Sequence, residues 1–144
     1  MSEAARLYTP ELLARTVTLA QYPLSDSLPL TGHARSQSCG STLTIGLALE
    51  SDGRIAAVGM RAQACAVGQA SAAIFAQSAP GRTAADIAAS LQAMRRWVRE
   101  DGPMPNWPGL DLIEPARAFP GRHGAILLAW EAASEALSQA GSPR

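Results

Sequence analysis

The chain has 144 residues, 47% of them hydrophobic and 17% charged, with 12 basic and 12 acidic side chains and a formal net charge of zero. That length and apolar content suit one compact domain with a core of its own and not a disordered segment. A balanced charge with no basic run leaves no electrostatic footprint for nucleic acid, and with every basic residue an arginine a Schiff-base lysine or a Walker-type phosphate loop is excluded. In chain order, Thr9 and Pro10 read as the N-cap and first position of a helix whose apolar face carries Leu12, Leu13, Val17 and Leu19. A Pro- and Ser-rich loop follows, with a short strand near residues 32–35. In "TLTIGLALE" the residues Leu43, Ile45, Leu47 and Leu49 alternate with small or polar ones, which marks a strand with one strongly apolar face. "SDG" and "RIAAVGMRAQA" then supply a turn and a second strand, together a hairpin.

After Cys65 the pattern changes to small helix formers over residues 66–79, a helix packed tightly on the sheet and closed by Pro80 and Gly81. Thr83 and Asp86 form a capping box for a further helix with Ile87, Leu91, Met94 and Val98 on one face. Residues 100–109 are a loop, 110–118 a short helical turn, and "HGAILLAWEAASEAL" a C-terminal helix. The expectation is one α+β domain spanning 1–144, a small antiparallel sheet with helices packed on one face. No stretch is long and apolar enough for a membrane span, and the start lacks the charged-then-apolar order of a secretory signal, so a cytoplasmic protein is expected.

The chain has only two cysteines, Cys39 in "SQSCGS" and Cys65 in "AQACAV". A three-residue turn of Ser51, Asp52 and Gly53 sets Glu50 opposite Arg54 as a cross-strand charge pair. Continued to its end, that register brings Cys39 opposite Cys65, both on the face of the leucine stripe. A two-residue turn would place them on opposite faces. Two adjacent thiols at the rim of a core have three meanings. They are small buried apolar residues, a disulfide (unexpected in a reducing cytoplasm), or soft-metal and iron–sulfur ligands. His33 reads as a solvated loop residue, and His123 as either a polar helix start or a ligand. Arg95, Arg96 and Arg99 read as the wet face of a helix, and the three tryptophans as packing residues.

The stretch "CGSTLTIGLALESDGRIAAVGMRAQACAVGQASAAIF" resembles the NifU/IscU-type iron–sulfur cluster assembly scaffold family. Its pattern is a Cys-Gly-Asp motif opening a strand, an Asp/Glu-Gly hairpin turn, and a second Cys leading into a helix of small residues. "GLDLIEPARAFPGRHGAILLAWEAASEAL" resembles the third family segment, particularly in the SufU branch, whose extra length "MRRWVREDGPMPNWP" would supply. The likeness runs from about Pro10 to Leu137. Two family residues are replaced: the motif Asp by Ser41, and the third cysteine, on ungapped alignment, by Ala125. The histidine of the IscU branch falls on Gly124, one position from His123.

The resemblance implies a NifU/IscU-like fold and a scaffold, not an enzyme, that holds iron or a [2Fe–2S] cluster, with zinc as the alternative metal. Cys39 and Cys65 would be the ligands, with His123 a candidate third. It implies a cysteine desulfurase as sulfur donor and iron–sulfur apoproteins as recipients. Two thiolates do not close a four-ligand site. His123, a second copy of the chain in a homodimer, a partner protein or an exogenous thiol would have to complete it. The alternatives are a SufU-like sulfur-transfer protein carrying a persulfide on Cys39 or Cys65, and a degenerate scaffold that binds partners without metal.

Overall fold

The computed structural model describes residues 7–140. Helix α1 (Pro10–Thr18) begins where the Thr9 hydroxyl accepts the Leu12 amide at 3.1 Å and Pro10 occupies a position whose N–H would have no partner. A 3-10 turn, Leu19–Gln21, ends it. Strands β1 (Leu30–Arg35), β2 (Thr42–Leu49) and β3 (Ile55–Gln63) form one antiparallel sheet in the order β1-β2-β3. Helices α2 (Ala66–Ser78) and α3 (Ala84–Arg99) follow. Three 3-10 turns, Leu110–Leu112, Glu114–Ala118 and Pro120–Arg122, then lead into α4 (His123–Ala140). The capping box of α3 is formed, with the Thr83 and Asp86 side chains each accepting the other's backbone N–H. Among the described residues no helix is long and apolar enough to cross a membrane.

The core lies between the sheet and the helices. Leu43, Ile45 and Leu47 of β2 are buried, as are nine of the 13 residues of α2. A helix buried on so much of its surface needs small side chains, and eight of the 13 residues of α2 are Ala, Gly or Ser. Trp97, Trp107 and Trp130 are all buried. Phe75 stacks on Trp107 at 5.3 Å, and Trp130 meets both rings edge-on. The Trp107 Nε1–H donates to the Ile74 carbonyl at 3.0 Å and Arg82 lies 3.8 Å from its ring centre, which fastens the long loop after α3 to α2. The reverse face of the sheet is crossed by residues 23–28, whose Pro23, Leu24 and Leu28 fill the space where side chains at Gly46 and Gly59 would stand.

The hairpin corrects the expected register. At the turn the expectation holds. The Glu50 N–H donates to the Arg54 carbonyl at 2.7 Å, Gly53 has φ +88°, and Leu49 pairs with Ile55. One step on, Ala48 pairs with Ala57, so Ala56 is an extra residue and the register shifts. The cause is visible in the side chains of β3. Ile55 and Met60 are both buried, yet an unbroken alternation would put them on opposite faces and would turn Arg61 and Gln63 inward. Inserting Ala56 keeps both apolar residues in and leaves Arg61 and Gln63 exposed. Cys39 and Cys65 are therefore not a cross-strand pair, since the ladder ends at Thr42 and Gln63 and both cysteines lie beyond it. The Glu50–Arg54 charge pair does not form either, because the Arg54 guanidinium turns to Asp52 at 3.5 Å and to the Gly81 carbonyl.

Helix α4 approaches β1 so closely that a Cβ on Gly32 would overlap the Ala132 carbonyl oxygen and lie 2.8 Å from the Ala136 nitrogen. Gly32→Ala should therefore lower stability by about 1–3 kcal/mol through overpacking. Gly121→Ala, where nothing lies within 4 Å, should stay within about 0.5 kcal/mol of the parent. Thermal and denaturant unfolding of the two variants checks the contrast. Equal stability would mean that α4 does not sit on Gly32.

Candidate functional site

Cys39 stands in the loop 36–41 that carries the chain from β1 into β2. The loop closes on itself: the Ser36 N–H donates to the Ser41 carbonyl and the Gly40 N–H to the Ser36 carbonyl, both at 2.8 Å. That closure needs a left-handed residue, and Gly40 supplies it with φ +72°. The Ser38 hydroxyl donates to the Gly121 carbonyl at 3.2 Å, tying the loop to the turn before α4. Inside it, the Cys39 Sγ lies 3.3 Å from the Ser36 Oγ and 3.1 Å from the Ser41 Oγ. Both serines are buried while the thiol is exposed. Hydroxyls rotate freely, so both can donate to a thiolate. The hydrogen bond to Ser36, then that to Ser41, hold the Cys39 thiol below its ordinary pKa, and the Arg122 charge adds to them.

Cys65 is the N-cap residue of α2. Its backbone is extended, its carbonyl accepts the Gln69 N–H at 2.9 Å, and its half-buried thiol caps nothing. Both thiols are free, with no disulfide between them. What relates them is Arg122, at the end of the last 3-10 turn. Its Nη2–H donates to the Tyr8 hydroxyl at 3.4 Å. Tyr8 first, then Cys65 and Cys39, favour its charged form. Thiolate charge on either sulfur would therefore favour the charged guanidinium.

The first turn of α4 completes the surroundings. A Cβ at Gly124 would collide with the Ser36 Oγ and lie 2.9 Å from the Ser36 Cβ. A histidine at this position would displace the serine that holds Cys39. Ala125 is buried against α2: a Cβ at Gly68 would sit 3.4 Å from the Ala125 Cβ and 2.8 Å from the Ala64 Cβ. Ala125, on which the resemblance places the third cysteine, thus packs against the first turn of α2, the helix that Cys65 opens. His123 is half-buried, with its Nε2 at 2.8 Å from the Arg117 carbonyl. His33 lies on β1, its Nδ1 at 2.9 Å from the Thr44 hydroxyl. Among the described residues no three His, Cys, Asp or Glu side chains come together as a metal group. Two thiolates alone do not complete a four-ligand site, so the donor set of one chain does not fit a resident metal.

Residue spacing did not single out Ser36, Arg122 or Tyr8. Ser36 had a local signal, three positions before Cys39, whereas Tyr8 and Arg122 meet only through the fold.

Two solved structures resemble this one over nearly the whole chain. The N-terminal domain of a NifU-like protein from Brucella abortus shares 29% identity, covering 96% of both chains with a TM-score of 0.85. A candidate iron–sulfur cluster assembly scaffold for the SUF system from Fervidobacterium islandicum AW-1 shares the fold at 17% identity, covering 91% of this chain and 96% of that one, with a TM-score of 0.79. No family model and no curated protein matches the sequence. Among the described residues, a three-stranded antiparallel sheet packed with four helices gives this chain the α+β architecture of the NifU-like domain. In fold this chain is similar to both, the NifU-like domain and the SUF-system scaffold candidate.

Serine donors should make Cys39 an early-titrating thiol. Replacing Ser36 or Ser41 by alanine removes a donor to the thiolate, so the midpoint of Cys39 alkylation by iodoacetamide should move to higher pH. The rate near neutral pH should fall by about threefold to tenfold, one pKa unit being a factor of ten. Ser41→Asp should move the midpoint further, because a carboxylate repels the thiolate. An unchanged profile in all three variants would contradict the hydrogen-bonded site.

Proposed function

We propose that the chain is a divergent iron–sulfur cluster assembly scaffold of the cytoplasm, in which Cys39 and Cys65 hold iron or a nascent [2Fe–2S] cluster as cargo. The observation that carries this reading is the pair of free thiols, Cys39 beside the buried Ser36 and Ser41 hydroxyls and Cys65 at the start of α2, in a domain of NifU-like fold. Thiolates are the preferred donors for such cargo, and with two per chain a second copy, a partner protein or a small thiol supplies the rest. A cysteine desulfurase would provide sulfur and iron–sulfur apoproteins would receive the cluster. Anaerobic reconstitution with iron and sulfide tests the reading. The parent should take up iron with visible absorption, about one cluster per two chains when no other thiol is present, and Cys39→Ser or Cys65→Ser should abolish it. Full iron uptake by both variants would remove the reading. Metal analysis of the anaerobically purified protein separates iron from zinc.

A second reading draws on the serine donors around Cys39. A thiolate held by Ser36 and Ser41, with no three-ligand metal group among the described residues, suits a nucleophile that carries a persulfide. The Cys39 thiolate would attack the outer sulfur of a desulfurase persulfide. The donor's S–S bond breaks, its thiolate leaves, and a new S–S bond forms on Cys39 with no net redox change. Incubation with a desulfurase and cysteine, followed by mass spectrometry, should then show one added sulfur on Cys39. If neither thiol takes up sulfur or iron, what is left is a degenerate scaffold that binds partners only.

A further inference from the structure

The loop that holds Cys39 has a second side with different chemistry. A cleft of about 560 Å3 lies between this loop, the C-terminal end of α3 and the first turns of α4. Arg35, Ser36, Ser38, Arg99, His123 and Glu131 are among its lining residues. Glu131, the one carboxylate there, is engaged by Arg95 from α3 at 3.4 Å. Arg35 and Arg99 have no hydrogen-bond or ion-pair partner among the described residues. They come from different elements, the last residue of β1 and the last of α3, and meet only around this cleft. Two uncompensated guanidinium groups facing one concave volume raise its positive potential above that of isolated surface arginines. Their planar donor forks match carboxylate and phosphate oxygens.

We propose that this cleft binds a polyanion through carboxylate or phosphate groups clamped between Arg35 and Arg99. Such groups could belong to a free small molecule or to an acidic segment of a partner protein. Neither thiol takes part, so the proposal stands or falls apart from the scaffold reading. The two sites share Ser36, which lines the cleft and hydrogen-bonds Cys39, so an anion seated in the cleft touches the loop that carries the thiol.

The full chain, at low ionic strength, would be titrated with pyrophosphate, citrate and a hexaglutamate peptide, and binding followed by amide chemical shifts. Saturable binding of at least one probe is expected below about 10 mM, with shifts at Ser36, Ser38 and Gly124. The double variant Arg35→Gln, Arg99→Gln should bind at least tenfold more weakly. Arg61→Gln with Arg96→Gln removes two exposed arginines that do not line the cleft, and its affinity should stay within twofold of the parent. Tighter binding of the peptide than of either small anion assigns the cleft to an acidic partner segment, and the reverse order assigns it to a free metabolite. No saturation by any probe, or an equal loss in both double variants, would overturn the proposal.

Discussion

Helix α4 begins in close contact with two segments far from it in sequence. Gly124 lies on Ser36, Ala125 packs beside Gly68 and Ala64, and the buried Ser71 hydroxyl donates to the Ile126 carbonyl at 2.7 Å. With only glycine, alanine and serine side chains at these contacts, the Cys39 loop, the start of α2 and the start of α4 pack closely together. Arg122 immediately precedes this turn, and its charge favours the Cys39 thiolate. A larger residue at 124 or 125 would push these segments apart before it could add any chemistry of its own.

That constraint gives the two replaced family residues a common physical meaning. The pattern the chain resembles has a carboxylate at position 41 and a thiol at the position of Ala125. Here the first is a hydroxyl that can donate to Cys39, and the second is a buried methyl that lets α4 close on α2. Both changes remove negative charge from around the remaining thiols, while Arg122 contributes positive charge. The result favours two thiolates over a self-contained metal cage, and it leaves any cluster dependent on ligands from outside the chain. The cleft lined by Ser36 and Ser38 of the same loop, with Arg35 and Arg99, is the separate place proposed for an anionic partner or metabolite.

Much of the fold was legible in the residues. Thr9 and Pro10, then Thr83 and Asp86, announce helices through caps that the structure forms, and the alternation over 42–50 specifies β2 with Leu43, Ile45 and Leu47 buried and Leu49 half-buried. The short strand near 32–35 proved to be β1, and its length came from pairing with β2, not from its own pattern. The bulge was missed although its cause is written in β3. Ile55 and Met60 stand at opposite parity, and both are too apolar to leave outside. Turn chemistry set the first pair of the hairpin correctly but could not carry the register past Ala56. At the site, Cys39 and Cys65 stood out because cysteine is rare in this chain. Arg122 and Tyr8 did not, because neither is unusual until the fold joins residues from opposite ends of the chain. His123 looked available because its bond to the Arg117 carbonyl is a tertiary fact.

The account rests on the two thiols serving one site. Dibromobimane, which becomes fluorescent only when it bridges two sulfur atoms, tests this directly on the reduced monomer. Intramolecular bridging of Cys39 to Cys65 should occur in the parent and vanish in each single Cys→Ser variant. If both thiols alkylate readily with a monofunctional reagent and the bifunctional one never bridges them, the shared site does not exist.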